Sequence, residues 1–366
     1  MVSRTRILLG GFLILASLAS PLMGAWPELS RVPAPDFQCK LWLNSRPFTL
    51  RELRGKVVLI DFWEYTCINC VRTFPYLRRW NELYGPLGLV VIGVHTPEFE
   101  FAKNPDRVAD AVKRFKFTFP IAIDSDRRVW EAFYNNVWPA KYLIDKDGRI
   151  ALSHLGEGDY ADFERHIQDL LKEATPKLSF ASPKFDIPAD THEAGGVCRQ
   201  STPETYLGFE RSDRLANPGG YKQLAENAYR DPGDLLSDGY ALSGRWFAAP
   251  EFVRHVATTK DFGDDYLSLN YRAKAVYLVA GSDDGSVKPL YVTQDGKPLP
   301  KGSRGVDVKT DSAGRTYIAL GGKRMYYVVN NPRFEQHTLR LSATVPDLSL
   351  YSFTFGNDCE NPFDHS

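Results

Sequence analysis

The sequence predicts two domains of different class: an α/β domain over residues 26–178 and an all-β, jelly-roll-like sandwich over residues 197–366. In the first domain, continuous apolar runs alternate with stretches of helical periodicity, which indicates a mainly parallel sheet covered on both faces. In the second, short alternating segments are separated by turn signals such as SDDGS and QDGKP, a spacing typical of a sandwich. Residues 179–196 are rich in Pro, Ala and Gly without periodicity, which predicts a linker.

Within the α/β domain, apolar runs predict the strands VVLIDF, LVVIGVH, FPIAI, AKYLID and RIALSH. Helical periodicity predicts helices over 68–84, 105–116, 126–134 and 160–172. A short Asp-Gly turn joins the last two strands, which are expected to form an antiparallel hairpin at the edge of the sheet. In the second domain, RTYIALG, MYYVVN, HTLRLSAT and LSLYSFTFG predict strands.

The N-terminal segment and the net charge of the chain indicate its cellular location and the kinds of partner to expect. Arg4 and Arg6 precede the apolar run ILLGGFLILASLA, and small residues follow it. This order predicts an export signal or an N-terminal anchor over residues 1–25 and an extracytoplasmic location, periplasmic or secreted. The formal net charge is zero, and no basic stripe suited to a nucleic-acid backbone is visible.

The chemistry is expected at Cys67-Ile68-Asn69-Cys70, where a buried strand passes into a helix. Unpaired N–H groups and the positive end of the helix dipole favour a thiolate, so the pKa of Cys67 is expected to be lowered. Cys70 lies one turn later and can close a disulfide with it. A structural zinc site would need four ligands, which this region does not supply, and no cofactor is expected. The pair is therefore predicted to be redox-active.

The stretch DFWEYTCINC, with Pro75 behind it, resembles the strand, active site and first helix of the thioredoxin fold. It is most similar to exported TlpA-like and redoxin-type proteins of the AhpC/TSA-redoxin superfamily. With VIGVHTPEFEFAK, WPAKYLID and GEGDY, the resemblance narrows to the extracytoplasmic C-terminal region of the DipZ proteins, where a redoxin domain precedes a sandwich similar to carbohydrate-binding modules.

The resemblance implies roles for further residues. Asp61 stands where the family has a buried acid that accepts the proton of the resolving cysteine. Trp138-Pro139 resembles the family's cis-proline loop, and Trp138, Pro139 and Ile68 are expected to contact substrate. Apart from the resemblance, Glu64 just outside the motif could tune the thiol, but a solvated surface glutamate is the favoured expectation.

In the second domain, Trp246, Tyr266 and Tyr271 could form a stacking platform for carbohydrate, although core packing explains such aromatic residues as well. Cys198 and Cys359 bracket the domain and are predicted to form a structural disulfide. Cys39 is then left over and is expected to be a small buried residue.

These features predict an exported thiol-disulfide oxidoreductase that reduces disulfides in proteins. If it is a reductase, the resemblance implies a membrane electron donor of the CcdA/DsbD type. A thiol peroxidase, in which Cys67 passes through a sulfenic acid, is one alternative. A carbohydrate- or protein-binding module with secondary redox activity is another.

Overall fold

The computed structural model describes residues 31–37, 39–180, 197–198, 200–259, 263–357 and 359–360. The predicted export segment and nearly all of the predicted linker lie outside these residues. Among the helices of the described ranges, none combines the length and the apolar composition needed to cross a membrane.

The first domain is built on a seven-stranded sheet with four α-helices. Its strands are Val32–Pro33 (β1), Trp42–Leu43 (β2), Val57–Trp63 (β3), Leu89–His95 (β4), Ile121–Ile123 (β5), Ala140–Ile144 (β6) and Arg149–Leu155 (β7). The helices are Ile68–Tyr84 (α1), Pro105–Arg114 (α2), Arg128–Ala132 (α3) and Tyr160–Ala174 (α4). Short 3₁₀ turns lie at Leu50–Leu53, Gly85–Leu87 and Glu100–Lys103. The predicted order of strands and helices is thereby confirmed.

The strands of this sheet follow the order β1-β7-β6-β3-β4-β5-β2. Only β3 with β4 and β4 with β5 run parallel, while the other neighbouring pairs are antiparallel. The expectation of a mainly parallel sheet was therefore wrong. A strand that is buried on both faces is apolar throughout whichever way its neighbour runs, as β3 is at all seven residues, so the apolar run did not reveal strand direction.

The second domain consists of strands. They are Val197–Cys198 (β8), Thr205–Tyr206 (β9), Glu226–Tyr229 (β10), Tyr240–Ala248 (β11), Val253–His255 (β12), Tyr266–Ser282 (β13), Lys288–Gln294 (β14), Lys297–Pro298 (β15), Val308–Thr310 (β16), Thr316–Leu320 (β17), Arg324–Ala343 (β18), Leu348–Gly356 (β19) and Cys359–Glu360 (β20). A 3₁₀ turn lies at Lys301–Ser303. Strands β9 to β19 form one antiparallel eleven-stranded sheet, and β8 pairs with β20. The all-β prediction is confirmed.

Two long strands organise this domain. The first half of β13 pairs with β11 and with the end of β18, whereas its second half pairs with β19 and the start of β18. Because β11, β12, β19 and β13 pair in a ring, their inward side chains enclose one apolar core. Trp246 and Tyr271 lie in that core with no exposed surface, so neither can stack on a carbohydrate. The partly exposed Tyr266 is covered by Arg340, whose guanidinium carbon lies 3.9 Å from the ring centre.

The predicted disulfide concerns β8 and β20, whose backbones pair so that Cys198 lies directly opposite Cys359. Their side chains lie outside the described residues, and the disulfide stays a prediction. Directly opposed residues of antiparallel strands have the Cα separation that a disulfide needs. We expect peptide mapping by mass spectrometry without reductant to find the two residues linked. Recovery of both as free thiols from oxidised protein would contradict the prediction.

The two domains pack against each other beside the start of α1. Five buried side chains, which we call the seam cluster, meet there: Ile68 and Phe99 from the first domain, and Val279, Met325 and Tyr351 from the second. The ring of Phe99 lies edge-on to that of Tyr351 at 5.3 Å. Because these side chains are at most 5% exposed, the second domain covers one side of the Cys67–Cys70 segment.

Candidate active site

Cys67 and Cys70 stand where the chain leaves β3 and enters α1. Cys67 is the N-cap residue of α1, and its Sγ accepts a hydrogen bond from the backbone N–H of Cys70 at 3.3 Å. Both are free thiols. Cys67 is partly exposed, whereas Cys70 is fully buried in the apolar core beneath it. Cys67 is therefore the more exposed residue of the pair, and Cys70 the sheltered one.

The loop before β6 lies against the accessible sulfur. The Trp138–Pro139 peptide bond is cis, and Cys67 Sγ lies 4.0 Å from the carbonyl oxygen of Trp138. The indole of Trp138 donates to the carbonyl of Thr96 at 3.1 Å and packs on Trp130, with ring centres 4.3 Å apart. These contacts hold the Trp138 backbone next to Cys67. The expected neighbourhood of Cys67, Trp138 and Pro139 is what the structure shows.

Asp61 is on β3, in register with Lys141 of β6. Its side chain has no exposed surface, and neither carboxyl oxygen has a hydrogen-bond partner among the described residues. Burial raises the pKa of Asp61 to about 7, against the opposing influence of the Lys141 charge. Burial and the contact with Cys67 raise the pKa of Cys70 well above its ordinary value, and the charge of Asp61 adds to this. Asp61 and Cys70 are therefore electrostatically coupled.

Lys141 is a neighbour of this pair that the sequence reasoning missed. Its ammonium donates to the carbonyl of Gly156 at 3.2 Å, and the residue is 1% exposed. Burial lowers its pKa, while the charges of Asp61 and Cys70 raise it. A lysine inside the apolar strand AKYLI was the available signal, because a buried ammonium needs a compensating partner.

The residues just before Cys67 correct one expectation. Glu64 was expected at the surface, yet it has no exposed surface. Its carboxylate accepts a hydrogen bond from the Thr66 N–H at 2.6 Å and another from the Thr66 hydroxyl. His95 Nε2 lies 3.8 Å from its other oxygen, and the His95 ring stacks on Tyr65. Glu64 is buried because it ties the loop before α1, a role that its position alone did not indicate.

Two further carboxyl groups act on Cys67 from the seam. Glu98 accepts hydrogen bonds from the Tyr206 hydroxyl at 2.7 Å and from Arg211 at 3.0 Å, both in the second domain. Burial raises the pKa of Glu98 to about 8, and the nearby charge of Glu204 adds to this. Nothing in the local sequence distinguished Glu98 or Glu204, because their relation to Cys67 depends on domain packing.

The pKa of Cys67 is raised, not lowered as expected. The hydrogen bond with Cys70 is the largest single influence and lowers the pKa, but burial and the charges of Glu98 and Glu204 together raise it by more. The helix N-terminus is present as predicted. Burial, the charge of Glu98 in the first domain and the charge of Glu204 in the second, however, all disfavour the thiolate.

Ile68 also differs from its expected role. It was expected to contact substrate, but it is 3% exposed and packs in the seam cluster. Ile68 therefore offers almost no surface to a molecule that approaches Cys67. Cys39 was expected to be a small buried residue; it packs against the core of the first domain but is partly exposed, and burial raises the pKa of its thiol to about 12.

Replacing Glu98 with glutamine should accelerate alkylation of Cys67 above pH 8 by a few-fold. Wild-type Glu98 loses its proton near pH 8, so its charge opposes ionisation of Cys67 above that pH and not below pH 7. The measurement is the iodoacetamide labelling rate of Cys67 from pH 6 to 10, followed by mass spectrometry. Glu100→Gln is the control, because Glu100 is 73% exposed and pairs with Lys103. Rates that coincide for the wild type and Glu98→Gln above pH 8 would contradict this account.

Family models match the chain in both domains. The model described as AhpC/TSA family matches residues 31–153, and the model described as thioredoxin-like C-terminal domain matches residues 202–356. The first match contains β3, α1 and the loop before β6. The second contains the strands β9 to β19.

Curated relatives match one or both domains. Protein DipZ of Mycobacterium bovis is 35% identical over 327 residues, 88% of this chain and 43% of that protein. The chain thus spans less than half the length of this relative. The thiol-disulfide oxidoreductase ResA of Geobacillus thermodenitrificans is 31% identical over 175 residues, 46% of this chain and 95% of that protein. ResA of Bacillus cereus is 29% identical over 128 residues, 35% of this chain and 71% of that protein.

The match to ResA of Geobacillus thermodenitrificans takes in nearly the whole of that protein, and the AhpC/TSA model matches residues 31–153 of this chain. The chain therefore belongs to the thioredoxin-like family of thiol-disulfide oxidoreductases, as a redoxin domain of AhpC/TSA type followed by an all-β domain.

Proposed function

We propose that this protein is an exported thiol-disulfide oxidoreductase that reduces disulfides in protein substrates through Cys67 and Cys70. One observation carries the proposal. Cys67 is partly exposed and its sulfur lies 4.0 Å from the Trp138 carbonyl of the cis-proline loop, and the buried Cys70 donates its backbone N–H to that sulfur. This arrangement provides an attacking sulfur, a surface for an extended substrate and a second sulfur within reach.

In the first step, the Cys67 thiolate attacks one sulfur of a substrate disulfide. A Cys67–substrate disulfide forms, the substrate S–S bond breaks, and the second substrate sulfur leaves as a thiolate. The Trp138 backbone beside Cys67 can pair with the substrate segment as an added strand. Because the second domain covers the opposite side at Ile68, we expect this strand to lie along the proline loop.

In the second step, Cys70 attacks the Cys67 sulfur of the mixed disulfide. The reduced substrate leaves, and Cys67 and Cys70 end as a disulfide, so two electrons have passed to the substrate. Cys70 must first lose its proton, although its pKa is raised well above the ordinary value. Asp61 is fully buried with a pKa of about 7, which suits a group that accepts this proton near neutral pH.

The raised pKa of Cys67 supports a reductase rather than an oxidase. Strong oxidants of this fold owe their potential to a stabilised thiolate with a very low pKa. Burial and the acids Glu98 and Glu204 act in the opposite sense here. After each turnover the pair must be reduced again, and a membrane electron donor of the CcdA/DsbD type would supply the electrons. Export is supported by the basic and apolar N-terminal segment.

Peroxidase activity has less support from the site. The Thr-x-x-Cys arrangement of peroxiredoxins is missing, since Thr66 directly precedes Cys67. The Thr66 hydroxyl is hydrogen-bonded to Glu64, so it is engaged away from the sulfur. Carbohydrate binding is weakened as well, because Trp246 and Tyr271 are core residues. We propose instead that the second domain shapes the active site through Tyr206, Arg211 and the seam cluster.

The test is catalysis of insulin reduction by dithiothreitol, alongside consumption of hydrogen peroxide under the same conditions. We expect rapid insulin reduction and slow peroxide consumption. An equilibrium with glutathione should place the potential of the Cys67–Cys70 pair on the reducing side of DsbA. Faster peroxide turnover than insulin turnover, or a potential as oxidising as that of DsbA, would reject the proposal.

A further inference from the structure

A cavity between the two domains, on the seam, has no part in the proposed reaction. It encloses about 240 Å³ and is lined by both domains. Its charged and polar lining comprises Tyr65, Arg107, Asp110 and Arg114 from the first domain and Lys323 and Arg324 from the second. Arg107 donates to the backbone carbonyl of Lys323 at 3.4 Å, which joins the two sides.

The positive charge of this cavity is only partly compensated. Lys323 pairs with Asp283 at 3.0 Å, and Arg324 pairs with Asp307 at 2.6 Å. Asp110, on the rim, pairs with Lys113 at 3.8 Å.

Arg107 and Arg114 have no salt-bridge partner within the described part of the chain, although the guanidinium of Arg114 lies over the Phe115 ring at 4.6 Å. Burial lowers the pKa of Arg114, and the charge of Arg324 lowers it further. Two like charges therefore face each other across the domains, at the cost of their mutual repulsion.

Tyr65 adds an unsatisfied hydrogen-bond donor. It is 3% exposed, and among the described residues its hydroxyl has no hydrogen-bond partner. Burial raises the pKa of Tyr65, and the charge of Glu64 raises it further, against the influence of Arg107 and Arg114. The hydroxyl therefore keeps its proton and can donate. A buried hydroxyl without a partner is costly, and a ligand that accepts its hydrogen bond would relieve that cost.

We infer that this cavity binds a small, doubly charged oxyanion of the phosphate class, held by Arg107, Arg114 and the Tyr65 hydroxyl. Guanidinium groups match such oxyanions in geometry as well as in charge. The cavity is smaller than those that hold drug-sized ligands, so a single phosphate or a small dicarboxylate fits the volume. Lys323 and Arg324 come from the other domain, so the bound anion would join the domains. The inference does not depend on the redox function.

The experiment titrates the full-length protein with sodium phosphate, with total ionic strength held constant by sodium chloride. Isothermal calorimetry should show one saturable site, and Tm should rise with phosphate concentration as for any ligand of the folded state. Sodium malonate provides a second arm. Binding of malonate in place of phosphate would keep the oxyanion site and assign it to carboxylates.

Variants identify the site. Arg107→Ala and Arg114→Ala should each lower the affinity for the anion about tenfold, as expected for loss of one charged hydrogen-bond donor. Arg128→Ala is the matched control, since Arg128 lies outside the cavity lining, is 56% exposed and pairs with Asp126. Tyr65→Phe should raise Tm in chloride, because it removes the unpaired hydroxyl, and should reduce the further rise that phosphate causes.

Two results would overturn the inference. One is equal stabilisation by sodium chloride at matched ionic strength, which would show general screening. The other is unchanged phosphate affinity when Arg107 and Arg114 are both replaced by alanine.

Discussion

Replacement of Cys67 by serine is expected to reduce insulin reduction by roughly a thousandfold or more, because the reaction loses its nucleophile and cannot proceed through Cys70 alone. Cys67 offers the partly exposed sulfur beside Trp138, whereas Cys70 is fully buried. The measurement is the initial rate of insulin precipitation with dithiothreitol. Cys39→Ser is the matched control, since Cys39 is also a free, partly exposed thiol in the same domain, and it should retain full turnover.

The matching Cys70→Ser variant should behave differently. It keeps the attacking sulfur and loses the one that resolves the mixed disulfide, so a covalent adduct between Cys67 and substrate should accumulate. A non-reducing gel and mass spectrometry would detect the adduct. Retention of more than a tenth of wild-type turnover by Cys67→Ser, or an adduct at another cysteine, would refute the assignment of roles.

Replacement of Asp61 by asparagine is expected to raise the free energy of unfolding at alkaline pH. It is also expected to lower the rate of insulin reduction. Burial raises the pKa of Asp61 from 3.8 to about 7. Between these two pH values the folded state holds one proton more than the unfolded state, so stability falls as pH rises. Above pH 7 this decrease is complete, and the free energy of unfolding is then lower by at most roughly 4 kcal/mol than it is at acid pH.

In Asp61→Asn this loss is absent, so its unfolding free energy should exceed that of the wild type by roughly 2 to 4 kcal/mol at pH 8 and differ little at pH 4. The lower figure allows for the buried Lys141, whose ammonium loses the opposite charge of Asp61 in the variant. Urea unfolding from pH 4 to 9 measures the difference. Asp169→Asn is the control, because Asp169 is 65% exposed and pairs with Lys172. A difference that does not grow between pH 4 and 7 would contradict the buried-acid account.

The same variant should slow insulin reduction by roughly a hundredfold, the lower end of what a positioned proton acceptor contributes. Turnover should rise through pH 7 more steeply in the wild type, where Asp61 ionises, than in Asp61→Asn, which keeps only the rise due to ionisation of Cys67. Unchanged turnover of Asp61→Asn, alongside the predicted change in its free energy of unfolding, would show that Asp61 has a structural role and not a catalytic one.

The sequence was sufficient where local pattern decides the structure. Helix α1 runs over residues 68–84, the range that its periodicity and the Gly85-Pro86 stop predict. The strand that carries Asp61, the helix that begins after Cys67 and the loop at Pro139 could all be predicted from the sequence. Helical and strand periodicity, breakers and caps act over a few residues, so they can be read without knowing the rest of the chain.

The electrostatics of the site could not be read in this way. Glu64 is a charged residue of the kind usually found at the surface, yet it is buried, with Thr66 hydrogen-bonded to its carboxylate and His95 beside it. The pKa of Cys67 is raised by burial and by Glu98, and Glu98 is held by Tyr206 and Arg211 of the second domain. Such shifts depend on which distant groups exclude water and which charges they bring near.

By itself, then, the sequence determined the class of both domains, the order of their elements and the pair of sulfur atoms that can exchange a disulfide. The tertiary structure alone decided strand direction, the covering of Ile68 by the second domain and the basic cavity between the domains. The physical reason is the separation along the chain of the residues that produce each effect. Periodicity and capping are properties of neighbouring residues, whereas burial and charge interactions arise from residues that only folding brings together.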